Sequence, residues 1–579
     1  MVNVKNLFGM AVMATALVSC SSSDDLATDG KGNENKTGEA YAAFKINLPT
    51  TTGTRAVDLN TGTEFDGGTA AEYEVKNGTI LIFDNSGKFV EKAELGTMNP
   101  WTDVKNNGVT TAAIATVKLE KVALGENKYK ALVLLNNNSG TTTTQKVALP
   151  TSSTDTYDTW SKNTLNVTVD NYKSTDGIFM ANAPMFTSTT TEPTTLVSVA
   201  NVCASPEEAQ AKTATTIYLE RGLAKVTMKN FDPSYTIAAG TYKDDEVVIN
   251  AWQLDVTNKS TYPVHQTGGL MDAWDQIWNT KRFYDKDNEV FKRVYWGEDP
   301  NYDKDVYSNG TTTKSALEYC TDAFNMISNA EVVGLPGDDK PQYCLENTFN
   351  LANMMQGQTT RVVFKAVYTP YALRSESDKT FYKIGNNTAV WKKADLEKQI
   401  KTVALTLMGI TDAAEQDKYG VDLSKGTDIS GKAGQHLIAK ENITFNNGTA
   451  TPATTSRVTD DIVNKINEKL GLKKEGGKIT SGISTYLNGE AYYIARIKHF
   501  NELTPWIPGT AYTDDATFLG RYGVLRNNWY ELSVHSVSGL GYPDVPEVKP
   551  NVPDDENDQY INVEVKILDW AKRSQSIDL

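Results

Sequence analysis

Two stretches near opposite ends of the chain alternate apolar and polar residues with a period of two. In the first, Ala40 to Pro49, the residues Ala42, Phe44, Ile46 and Leu48 alternate with Ala43, Lys45 and Asn47. In the last, Tyr560 to Trp570, Ile561, Val563, Val565 and Ile567 fall on one face and Asn562, Glu564 and Lys566 on the other. Successive side chains of a strand point to opposite faces, so both stretches predict half-buried β-strands. Between them, Thr79 to Phe83 and Lys88 to Val90 flank Asp84-Asn85-Ser86-Gly87, which predicts a hairpin by its turn chemistry. Thr111 to Leu119 alternates again, and Lys130 to Leu135 reads as a buried strand ended by Asn136-Asn137-Asn138. Ile217 to Phe231 contains a strand with Glu220-Arg221 inside it, and further strands are predicted around Arg361 to Tyr368, Ala491 to Ile497 and Tyr530 to Val537. Helical signals are few. Ser205-Pro206-Glu207-Glu208 is a helix start, with a capping serine, proline at the first position and acids on the dipole. Asp461 to Leu470 puts Ile462, Ile466 and Leu470 on one face with Gly471 as its stop, the one long helix this pattern predicts.

Strands at this spacing, with few helices, indicate an all-β chain of sandwiches. The pattern divides into a first sandwich over residues 56–231 and a second, with insertions, over residues 232–541. Residues 1–19 have the form of a signal peptide: Lys5, then an apolar run from Leu7 to Val18 too short to span a bilayer, then Leu17-Val18-Ser19-Cys20. Residues 20–55 hold a polar spacer, the first strand and the small-residue loop Thr50 to Arg55, of the kind proteases cut. Arg55 is the first arginine of the chain and Arg221 the next, so an Arg-specific protease meets a single site before Arg221 and releases the leader and first strand together. Near the other end, Pro543 to Asp558 carries four prolines and a run of acids. Such a segment is expected to be extended and solvated, and at ~3.1 Å per residue it would carry the final strand roughly 50 Å. That strand either folds back on its own subunit or pairs with another.

Composition narrows the chemistry. The net charge of −15 offers no basic stripe for phosphates, which argues against nucleic acid as a partner. Apart from Cys20, the cysteines are Cys203, Cys320 and Cys344, too few for a disulfide framework in a chain of 579 residues, and spacing leaves open whether Cys320 and Cys344 pair. His265, His436, His499 and His535 are scattered, with no zinc spacing, no nucleophile elbow and no phosphate-cradling loop in the sequence. Asp299, Asn301, Asp303 and Asp305 begin like a calcium loop but lack its glycine and distal glutamate. Trp274, Trp278, Tyr284, Tyr295 and Trp296 cluster in sequence and fit either core packing or stacking on sugar rings. No catalytic residue, metal or cofactor is expected.

The combination resembles the fimbrillin shaft subunits of type V pili, of the minor-fimbrium kind. It is carried by the lipobox ending in Cys20, the strand followed by Arg55-Ala56, and the hairpin after Thr79. Ile217 to Val226, Tyr343 to Thr348, Arg526 to Tyr530 and Val563 to Trp570 follow in the same order. The resemblance implies two transthyretin-like β-sandwich domains in tandem, a lipoprotein propeptide lipidated at Cys20, and a tethered donor strand over residues 542–579. It implies maturation by an Arg-specific protease between Arg55 and Ala56, loss of the strand carrying Ala42, Phe44, Ile46 and Leu48, and its replacement by Ile561, Val563, Val565 and Ile567 of another copy. The expected partners are copies of the chain head-to-tail in a filament, fimbrial anchor and tip subunits, the outer membrane through the precursor's lipid, and host or bacterial surface ligands. The expected location is the outer membrane for the precursor and the surface fimbrium for the mature form, with a role in adhesion and biofilm formation. Two other readings stand beside it: a fimbrial tip or anchor adhesin, and a monomeric glycan-binding surface lipoprotein with aromatics such as Trp274 and Trp296 on one exposed platform.

Overall fold

The alternating runs become strands. β1 (Ala40–Asn47), β2 (Gly78–Asp84), β3 (Phe89–Glu94), β4 (Ala112–Leu119), β5 (Tyr129–Leu135), β6 (Met180–Asn182) and β7 (Thr215–Arg221) form one sheet in the order β3-β2-β5-β6-β7-β1-β4, with Val197–Ser198 also pairing onto β5. The computed structural model describes residues 39–48, 69–96, 112–138, 145–186, 192–228, 234–270, 294–303, 315–425, 434–448, 455–499, 518–554 and, for its backbone, 561–568. These residues lie in one compact unit, Gly38–Leu579. The predicted hairpin joins β2 to β3, and its turn is set by Asp84, whose Oδ1 accepts from the amides of Ser86 and Lys88 at 2.8 and 2.9 Å, with Gly87 at φ 83°. Helix α1 (Ala70–Tyr73) precedes β2, and α2 (Pro206–Ala211) starts as expected with the Ser205 hydroxyl accepting from the Glu208 amide.

Strands β2 and β5 are buried on both faces. Ile80, Ile82, Ala131, Val133 and Leu135 join the core around β1, while Leu81, Phe83, Leu132 and Leu134 pack into a second cluster with Trp160, Tyr172, Leu345 and Trp529. That double burial is why Lys130 to Leu135 reads as a continuous apolar run.

The segment Ile217 to Phe231 holds two strands, and they belong to different sheets. β7 ends at Arg221, and β8 (Ala224–Met228) begins a separate body. That body adds β9 (Ser234–Thr236), β10 (Glu246–Asp255), β11 (Gly337–Cys344), β12 (Arg361–Thr369), β13 (Glu490–Arg496), β14 (Trp529–Val537) and β15 (Ile561–Leu568). Two four-stranded sheets result, ordered β11-β8-β14-β15 and β9-β10-β12-β13. Val226, Met228, Tyr530, Leu532 and Val534 of the first sheet share one core with Val247, Trp252, Phe364, Tyr368 and Tyr493 of the second, which is a β-sandwich.

Between β12 and β13 lies an insertion with its own core. Leu396, Ile400 and Ala404 of α3 (Lys393–Leu407) pack with Val463 and Ile466 of α4 (Asp460–Lys469), Tyr382 and Ile483. The α4 helix matches the expected span and ends before Gly471 at φ 71°. The longer helix α3 was not expected. Its N-cap position is Lys392, which makes no side-chain cap bond, and the run Thr402-Val403 with Thr406 carries β-branched residues, so both the start signal and the propensity were weak.

One other expectation changes, and one open question closes. The proline-rich segment is not solvated along its length: Pro543, Val548 and Asp554 are buried. Proline denies a segment its own ladder, but its carbonyls still accept, and here Arg361 and Gln356 donate to Pro546 O and Val552 O. As for the cysteines, Cys344 is a buried free thiol in the sandwich core, where burial pushes it up to about 12, while Cys320 is buried in a different cluster with Val256 and Phe324. Cys203 is also a buried free thiol. Ile400→Ala, at the centre of the insertion's core, is expected to cost about 2–5 kcal/mol, read from the urea midpoint followed by the far-UV helical signal.

Candidate functional site

Strand β1 occupies an interior position. It pairs antiparallel with β4, from Ala40 opposite Leu119 to Asn47 opposite Ala112, and parallel with β7, from Phe44 opposite Thr215 to Asn47 opposite Tyr218. Ala42, Phe44 and Ile46 are fully buried and Leu48 is 4% exposed, so the face read from the sequence is the face that fills the core. Tyr41 exchanges backbone hydrogen bonds with Cys203, at 2.9 and 2.8 Å, and Asn47 Nδ2 donates to Ile217 O at 3.2 Å. Without β1, β4 and β7 have no ladder with each other, and an apolar slot lined by Ala113, Ala115, Val117, Ile217 and Leu219 opens between them.

The other tethered strand, β15, pairs antiparallel with β14, from Ile561 opposite Val537 to Ile567 opposite Tyr530, with a register shift between Val534 and Ser536. β14 has β8 on its other side, so β15 is an edge strand of its own subunit. This is the fold-back arrangement, and exchange with another subunit requires β15 to leave β14. Cys20, Arg55 and Ala56 lie outside the described residues.

A third feature was not anticipated as a unit. The segments around Ile217 to Val226, Tyr343 to Thr348 and Arg526 to Tyr530 converge where the first sheet meets the sandwich. Lys225 Nζ lies 2.9 Å from Glu72 Oε1 on α1, both side chains 1% exposed, and the Tyr343 hydroxyl donates to the same carboxylate. The Lys225 ammonium also sits 3.6 Å from the centre of the Trp529 ring, a cation–π contact. Arg221 Nε donates to the Glu72 carbonyl at 3.0 Å, and the Arg221 amide donates to Asn527 Oδ1 at 3.1 Å. Around this core, Arg526 Nε donates to Glu346 Oε2 at 3.0 Å and His265 Nδ1 lies 3.0 Å from Glu220 Oε1, all buried. Burial works against the Glu72 carboxylate, but Lys225, the Tyr343 hydroxyl and the Thr69 amide more than offset it and hold the acid below its usual range. Burial likewise lowers Arg221, to about 10, against the pull of Glu72 and Tyr343. The mid-run Glu220-Arg221 pair was the available signal, because charges inside a buried strand need partners.

Other candidates are used internally. Asp299 accepts from the amides of Asn301 and Thr348, each at 2.6 Å, and from Asn258 Nδ2 at 2.8 Å. Asp303 Oδ1 accepts from Asn350 Nδ2 at 2.9 Å, and Asp305 lies outside the described residues. Among the described residues no group of His, Cys, Asp and Glu is arranged to hold a metal ion. Trp296, which the glycan-binding reading places on an exposed platform, is instead fully buried with Phe186, Leu270 and Leu525, because a large ring beside an apolar cavity gains most from filling it. Tyr295 is buried too, and Trp274, Trp278 and Tyr284 lie outside the described residues.

Two expected outcomes follow from this geometry. Phe44→Ala should destabilise the first body by about 3–5 kcal/mol, measured by denaturant unfolding. Glu72→Gln leaves Lys225 buried without its anion and should cost about 3–5 kcal/mol at neutral pH. The folded-state pKa of Glu72 is depressed, so its stabilisation is present above the unfolded carboxylate value of about 4.3 and is lost as pH falls through the lower folded value. The stability gap between wild type and Glu72→Gln should therefore shrink on acidification, read from urea titrations across that window.

Residues 484–576, which include β13, β14 and β15, match the family model described as major fimbrial subunit protein type IV, fimbrillin, C-terminal. No curated protein matches the chain. Among solved structures, a protein assigned to cell adhesion in Parabacteroides distasonis is 12% identical, over 93% of this chain and 98% of that one, with a TM-score of 0.37. The C-terminally truncated tip fimbrial protein Mfa3 of Porphyromonas gingivalis is 10% identical over 92% of this chain and 100% of that one, with a TM-score of 0.27. The fimbrial anchor protein Mfa2 of the same organism is 12% identical over 38% of this chain and 61% of that one, with a TM-score of 0.18. The body is mostly β, and its last three strands among the described residues lie inside a match to the fimbrillin C-terminal region.

Proposed function

We propose that this chain is the structural shaft subunit of a cell-surface fimbrium, exported as a lipoprotein through Cys20 and matured by cleavage after Arg55. The observation that carries the reading is the interior seat of β1, whose covalent link to the rest of its sheet runs through Arg55. While the link is intact, β1 competes for its slot as part of the same molecule, at a high effective concentration that no second chain matches. Cutting the link turns β1 into a peptide that dissociates once and is diluted away. The slot then accepts the terminal strand of another copy by β-augmentation, with Ile561, Val563, Val565 and Ile567 replacing Ala42, Phe44, Ile46 and Leu48. Four aliphatic side chains at about 1.5–3 kcal/mol each give roughly 6–12 kcal/mol gross per junction before ordering costs. Donor and acceptor surfaces differ, so the contact is head-to-tail and propagates as a filament.

The domain reading goes with this: a signal peptide over residues 1–19, a removable propeptide over 20–55, sandwiches over 56–231 and 232–541, and a donor segment over 542–579. The fimbrillin match supports a place in a cell-surface fimbrial assembly; the reading adds anchor and tip subunits as partners and a role in adhesion and biofilm formation.

The test is limited cleavage of residues 21–579 by an Arg-specific protease, followed by denaturing gels and sequencing of the new N-terminus. A new terminus at Ala56 with SDS-resistant ladders, lost on deletion of residues 560–579, is the expected result. A cut protein that keeps its tail and stays monomeric overturns the proposal.

A further inference from the structure

The segment between β14 and β15 crosses the flank of the sandwich as a docked strap. Tyr542 exchanges backbone hydrogen bonds with Tyr492 on β13, each 2.8 Å. Asp544 Oδ1 accepts from Asn329 Nδ2 at 2.8 Å, and Asn329 Oδ1 accepts in turn from the Val545 amide at 2.7 Å. Arg361 Nη2 donates to Pro546 O at 2.7 Å while Arg361 Nε is held by Asp255 Oδ2 at 2.8 Å, which roots this contact between β10 and β12. Val548 is buried against Val256, Cys320 and Phe324. The far end is fixed as firmly: the Gln356 amide donates to Val552 O at 2.9 Å, the Asp554 amide to Met354 O at 3.1 Å, and Thr359 Oγ1 to the wholly buried Asp554 at Oδ2, 2.9 Å.

The attachments of the strap are spread over several elements and include buried side chains, whereas β15 is held by one ladder at a sheet edge. Releasing β15 does not require releasing the strap. Beyond Asp554, only residues 555–560 separate the strap from Ile561. At ~3.3–3.6 Å per residue that is a reach of roughly 25 Å, about half of what the whole proline-rich segment would allow if it were free.

We infer that the strap over residues 542–554 remains docked on its own sandwich when the terminal strand serves a second copy, with Arg361, Asn329 and Thr359 as positioning residues. The inference rests on the strand-exchange reading and adds a geometric condition to it: the acceptor copy must bring its open slot within the short reach from Asp554. The tether's length, not its composition, then sets the spacing of neighbouring subunits.

Hydrogen exchange read by mass spectrometry on the cleaved monomer and on purified polymer tests this directly. Peptides covering 542–554 are expected to keep their protection in the polymer, within about threefold of the monomer. Deleting Glu556, Asn557 and Asp558 shortens the reach by ~10 Å and is expected to slow ladder growth by about tenfold, with the strap's protection in the monomer verifying that the body remains folded. Polymers that depend on residues 560–579 but lose protection across 542–554, or a folded deletion variant that polymerises at the wild-type rate, overturn the inference alone. Polymers that form without residues 560–579, or a cut protein that forms none, overturn the strand-exchange reading and the inference with it.

Discussion

A strand inside a sheet has to satisfy its amides and carbonyls on two sides at once, and β1 does so with neighbours that have no other relation. β4 runs against it, β7 runs with it, and the two meet only through it. The first body's core depends on this, because Phe44 and Ile46 fill the space that Ile80, Val133, Val117 and Ile217 enclose. An edge strand is a local ornament that a fold survives losing. A central one is structural, because β4 and β7 both lose their shared partner without it.

The two bodies are joined by charge as much as by apolar contact. Glu72, Lys225 and Tyr343 come from α1, β8 and β11, and each is the others' main compensation for leaving water. Such a cluster has one good arrangement, since a shift of either body separates a buried cation from its anion. The cation–π contact of Lys225 with Trp529 and the Arg221–Asn527 bond extend the same constraint into the sandwich. Arg526 with Glu346, and His265 with Glu220, line the same seam.

How much of this was legible depended on period and on distance along the chain. β1, β4 and the β2–β3 hairpin were readable because alternation and turn chemistry are local signals, and the Ser205 cap and α4 were readable for the same reason. The α3 helix was missed because its start carries no side-chain cap and its second half carries the β-branched Thr402, Val403 and Thr406. The docked strap was missed because its partners, Asn329, Arg361 and Met354, lie about 200 residues away in sequence and composition says nothing about them. The three segments of the charged seam were each visible, but only the fold shows that they are one site.

The insertion has a bearing on the order of events during folding. β12 and β13 pair directly, yet residues 370–489 stand between them, so their ladder on its own requires closure of a very long loop. Loop-closure entropy grows slowly with length, but the search for the closed state slows folding. The insertion removes much of that search if it folds first. Its own strands bring Phe381 opposite Tyr486, and the two rings stack at 4.5 Å, twelve residues after β12 ends and four before β13 begins. Once these ends are clasped, the long loop is kinetically a short one, and the insertion acts as a local nucleus for the sheet that carries it.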